Sequence, residues 1–95
     1  MTMPRADSVP SKVTRFLLLS ELCRRLGEHG CTSYLVNPAS GGAVLRVSVA
    51  GAGGGWLAVA AVERPEGWAY AWAGRWGPAQ QCERIARHLA RAVAA

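Results

Sequence analysis

Aspartate occurs once in this 95-residue chain, at residue 7, and histidine only at residues 29 and 88. Acid–base catalysis needs convergent His, Asp or Glu side chains. Glu63 and Glu66 flank a turn signal, and no acidic pair recurs at a spacing that forces convergence. A Cys82–His88 dyad fails on geometry, because six residues along a helix place two side chains about 120° apart around its axis. His88 falls among arginines and reads as solvated. No catalytic residue is assigned, and the chain reads as a non-enzyme. The three cysteines, Cys23, Cys31 and Cys82, are odd in number and lack CxxC spacing. They read as reduced, mostly buried thiols rather than disulfides or metal ligands. No metal and no cofactor is expected.

Long hydrophobic runs are also missing. Phe16-Leu17-Leu18-Leu19 is only four residues before Glu21 interrupts. A secretory h-region needs about 7–15 apolar residues and a membrane span about 20. The expectation is a cytoplasmic protein with no membrane partner. GAGGGW (51–56) places Trp56 where a dinucleotide fingerprint needs its third glycine, and no GK[ST] follows. This stretch reads as a hairpin connection.

What is present is globular: 51% hydrophobic and 18% charged residues. The length suits one domain. The net charge of +5 is spread along the chain rather than concentrated, so it carries little information about a partner. Residues 1–9 read as a disordered tail, and residues 10–95 as a single α+β domain.

Pro10 and Ser11 open a helix whose Phe16, Leu19, Leu22, Cys23 and Leu26 share one face. Gly30 is placed to stop it, with Gly27 as an earlier alternative. Glu21 with Arg25, and Arg24 with Glu28, are spaced as i,i+4 ion pairs. Leu17 and Leu18 fall off the core stripe. After Cys31 the period becomes twofold. Thr32–Val36 and Ala43–Val49 read as strands joined by the turn PASGG. Trp56–Val62 is apolar on both sides, as in a central strand. Arg64-Pro65-Glu66-Gly67 has tight-turn chemistry, and a fourth strand begins at Trp68. Gly74–Gly77 is expected to end that strand, and Pro78 to begin the last helix, whose Cys82, Ile85, Ala86, Leu89 and Val93 form one stripe. The predicted architecture is one antiparallel four-stranded meander flanked by an N-terminal and a C-terminal helix.

In GWAYAWAGRWGP (67–78), Trp68, Tyr70 and Trp72 point one way and alanines the other. Two arrangements are compatible with this alternation. The aromatic row can form the core beneath the helices, leaving a smooth alanine face on which a symmetry mate could lie. Alternatively the alanines admit a helix and the aromatics form an outer platform. Either way two helices cannot cover both sides of the sheet, and an exposed apolar face implies association. The expected function is a non-enzymatic protein-interaction module, regulatory or chaperone-like, binding another protein and itself as a homodimer. Leu17, Leu18, Trp68, Tyr70, Trp72 and Trp76 are the candidate contact residues. A second possibility is nucleic-acid binding through Arg84, Arg87 and Arg91, spaced i, i+3, i+7 on the last helix. A third is a small-molecule pocket lined by the aromatics.

The helix–sheet–helix order resembles the double-stranded-RNA-binding domain, but that family's basic cluster at the start of the last helix is replaced here by Pro78-Ala79-Gln80-Gln81. The tryptophan-rich strand followed by AQQCERIARHLARAV resembles the ends of small uncharacterised actinobacterial proteins, over about residues 67–93. That resemblance implies a bacterial cytoplasmic accessory protein and supplies no catalytic residues. The order of elements is also similar to small dimeric chaperone-like folds.

Overall fold

The twofold period after Cys31 is realised as a meander, with a helix before it and another after. The computed structural model describes residues 10–37, 42–51 and 53–94. The expected N-terminal tail and most of the PASGG turn lie outside the described residues. Helix α1 (Ser11–Glu28) is followed by strands β1 (Ser33–Val36), β2 (Val44–Ser48), β3 (Trp56–Arg64), β4 (Gly67–Trp72) and β5 (Arg75–Pro78). A 3-10 turn (Ala79–Gln81) then leads into helix α2 (Cys82–Ala94). The strands lie in the order β1-β2-β3-β4-β5, each antiparallel to the next.

The α+β class and the meander match the expectation, but the sheet has five strands rather than four. The extra strand comes from reading Gly74–Gly77 as a terminator. Ala73 and Gly74 instead form a two-residue turn with φ of 46° and 75°, and the chain doubles back so that Trp72 faces Arg75 and Ala69 faces Pro78. Positive φ at both central residues suits the right-handed twist of a hairpin. Pro78, which has no amide hydrogen to donate, closes a strand at the sheet edge.

Helix α1 ends as its glycine implies. Gly30 has φ 78°, the Gly30 N–H donates to Gly27 O, and the Cys31 N–H donates to Leu26 O at 2.9 Å. This is the Schellman pattern, which satisfies carbonyls that the helix end would otherwise leave bare. Both anticipated ion pairs form, with Arg25–Glu21 and Arg24–Glu28 each at 2.7 Å.

One core lies between the two helices and one side of the sheet. Leu19, Leu22 and Leu26 of α1 meet Leu45, Val47, Val59, Ala61 and Tyr70 of the sheet, with Ile85, Ala86, Leu89 and Val93 of α2. Phe16 departs from the expected stripe and is 42% exposed. It lies roughly 85° around the helix from the Leu19–Leu22–Leu26 line. Both helices pack on this inner side, so the other side of the sheet carries no helix.

Candidate functional site

The position of the aromatic row decides which sheet face is open. Tyr70 is fully buried beneath the helices. Its hydroxyl donates to Leu18 O at 2.6 Å and lies 3.4 Å from Cys82 Sγ. Burial pushes the Tyr70 phenol upward, and it pushes the Cys82 thiol the same way. Trp68 and Trp72, on the same side of β4, are half-buried against the core. The row is therefore interior, and Tyr70 has no surface to offer a partner. A buried Trp or Tyr contributes several kcal/mol of apolar burial, about 150–250 Å² each at about 25 cal/mol per Å². The helices take that area.

Trp68 is covered by an arginine from α1. Arg15 lies 5.6 Å from the Trp68 ring centroid, and its Nε donates to Ala61 O at 2.9 Å. Strand β2 starts at Val44, so the flank of β3 beyond Ala60 has no strand partner there, and Arg15 supplies a donor. The same side chain passes so close to Gly42 that a Cβ at that position would meet Arg15 Cδ at 2.7 Å. No sequence period reveals this contact.

The open side carries a different set of residues. Register places Val44, Arg46, Ala58, Ala60, Val62 and Ala71 on one open face. All of these but Arg46, which stands exposed between Tyr34 and Ala58, line a shallow trough of about 650 Å³. Its rims are aromatic. On one side Tyr34 and Trp56 meet edge to face, with ring centroids 5.0 Å apart and planes at 82°. On the other, the Arg64 guanidinium lies 3.9 Å over the Trp76 ring. Trp56, Trp76 and Tyr34 are 49%, 47% and 42% exposed. Of the six anticipated contact residues, Trp76 stands on this face, and Trp72, from the helix side, reaches the end of the trough. Leu17 is 58% exposed on the outer surface of α1, beside exposed Val13 and Phe16, and Leu18 packs at the core margin. The structure does not bring these leucines together with Trp76.

The arginine stripe of α2 is exposed but divided. Arg87 Nε is 3.7 Å from Glu83, which also receives His29 at 2.8 Å and Arg25 at 3.3 Å. The hydrogen bond from His29, followed by that from Arg25, holds the Glu83 carboxyl below its usual range. Arg84 and His88 lean the other way, toward the β4–β5 hairpin, where His88 stands 6.0 Å from the Trp72 ring at a tilt of 50°. Arg91 lies on the exposed side one turn further on.

No family model, curated protein or solved structure matches this chain. The site is therefore read from its own geometry. Among the described residues no three His, Cys, Asp or Glu side chains gather as a metal-binding group, and all three cysteines are free. No helix among the described residues is long and apolar enough to cross a membrane. What the arrangement offers is surface: an apolar, aromatic-rimmed sheet face, and a cationic cleft beside α2.

Proposed function

We propose that the protein is a non-enzymatic protein-interaction module, a regulatory or chaperone-like accessory protein that works as a homodimer through the open side of its sheet. The helix-free face with its alanine floor and aromatic rims carries this reading. A monomer has no use for three large exposed aromatics around one apolar trough, and contiguous patches of this kind mark association sites. The occupant is a second copy. Five strands spaced about 4.8 Å apart and roughly six residues long give a footprint of some 500 Å². The protruding rims enlarge the accessible area toward the ~800 Å² per partner of a standard interface. Small floor and bulky rims are self-complementary, since a rim of one copy can enter the trough of the other. Twofold closure is the commonest way to arrange this, and sheets pack face to face at about 10 Å.

Sizing of the purified protein, by light scattering across a dilution series, tests the proposal. The expected mass is that of two chains. Ala58→Glu places a charge on the floor at an exposed position and should give a monomer with an unchanged circular dichroism spectrum. Leu17→Glu, on the far side of the molecule, should leave the dimer intact. A wild-type monomer at all concentrations, or a dimer broken by Leu17→Glu and not by Ala58→Glu, would overturn it.

A further inference from the structure

We propose that the cleft between the β4–β5 hairpin and α2 binds a nucleoside phosphate. Two adjoining hollows share Trp72, Arg75 and His88. One, of about 350 Å³, is apolar and backed by Val49, Leu57 and Val93. The other, of about 310 Å³, adds Arg84, Gln81 and Trp76. Each volume falls within the range of small-ligand sites. The pair is amphiphilic, apolar on one side and cationic on the other, and it calls for a ligand of the same character.

The charge is one-sided. Arg75 comes from the hairpin and Arg84 from the first turn of α2, and no carboxylate lines either hollow among the described residues. Glu83, the acid of α2, is turned toward α1 and held there by His29 and Arg25. Two guanidinium groups without a facing acid match phosphate oxygens, because their fork of donors suits that geometry. Trp72 supplies a flat face for a planar ring, and His88 meets it at an open angle of 50° rather than in a parallel stack. Trp76 borders the second hollow from the strand's other side, with Arg64 on its ring. A base stacks on an indole face such as that of Trp72 whatever its identity. A free mononucleotide and one nucleotide of a single strand present the same chemistry. A duplex does not, since its bases are stacked on one another. The cleft shares Trp72, Arg75 and Trp76 with the end of the trough proposed for the dimer, so the monomeric Ala58→Glu variant tests it apart from dimer formation.

The four tryptophan indole N–H signals in a nitrogen-15 correlation spectrum of the whole chain give a positional readout. Titration with adenosine monophosphate, and separately with a short single-stranded oligonucleotide, should shift the Trp72 and Trp76 signals saturably and leave Trp56 in place. A response to the mononucleotide identifies a free nucleotide as the ligand, and a response to the oligonucleotide alone identifies single strands; both support the site. Arg75→Ala and Arg84→Ala should each weaken binding about tenfold, the loss of one charge-assisted hydrogen bond. Arg24→Ala, on α1, should not weaken it. Ala58→Glu should keep the response even where it abolishes the dimer, which separates the two proposals. The inference is overturned if neither ligand moves Trp72 or Trp76 at millimolar concentration. It is equally overturned if inorganic polyphosphate or duplex acts as well as the nucleotide, or if the Arg75→Ala/Arg84→Ala double variant, its indole signals still dispersed, binds as the parent does.

Discussion

Tyr70 shows what one polar atom does inside an apolar core. Its ring fills space beneath α1 while its hydroxyl reaches the Leu18 carbonyl. Tyr70→Phe keeps the ring and removes the bond, and should cost about 1 kcal/mol in denaturant unfolding at unchanged m-value. Tyr70→Ala should cost about 3–5 kcal/mol, the range for emptying an aromatic site. Ala73 is the reverse case, a residue at odds with its backbone. Its φ of 46° lies where an L side chain crowds the following carbonyl. Ala73→Gly should raise stability by roughly 0.5–1 kcal/mol, because relief of the left-handed strain outweighs the added chain freedom. A melting temperature unchanged or lowered would show that the turn bears no strain.

At the scale of elements, the two helices are joined at their ends by Glu83, which meets Arg25 of α1 and His29 just beyond its end. Its carboxyl is depressed in the fold, so its contribution to stability is present above the usual carboxylate range and fades as the pH falls through the lowered value. Glu21, depressed by the hydrogen bonds from Arg24 and then Arg25, behaves in the same way. Stability should therefore decline on acidification, and Glu83→Gln should flatten that decline while lowering stability at neutral pH. Chemical denaturation of both proteins across an acid-to-neutral series reads this directly. Elements were also the scale at which the sequence was most legible. The stripe of Leu19, Leu22 and Leu26, the Gly30 stop and the alternation through β2 and β4 follow from local period and turn chemistry. β5 was hidden because Arg75-Trp76-Gly77-Pro78 contains two residues that normally end strands. Gly77 is there for packing: a Cβ on it would come within 3.0 Å of Ile85 Cδ1, so glycine lets α2 sit directly on the hairpin.

For the molecule as a whole, the open surface was legible as an excess of apolar area but not as a set of residues. Periodicity alone fits the aromatic row as core or as platform, and only the packing of both helices on one side decides between them. Tyr34 and Trp56 are 22 residues apart in sequence and meet only because β1 pairs with β2 and β2 with β3 in one register. Arg15 reaching Ala61 is equally non-local. If the proposed dimer is the stable form, the melting temperature should rise with protein concentration in the wild type. In Ala58→Glu it should be independent of concentration.

The rims of the sheet bear on how far such assembly can go. β1 is four residues long, and β5, equally short, finishes in a proline. Neither margin offers the long row of unmet amide and carbonyl groups that recruits further strands. Two layers stacked through their bare sides leave no third bare side, so growth stops at a pair. If the proposed dimer forms, a chain this apolar is steered to discrete particles instead of fibres.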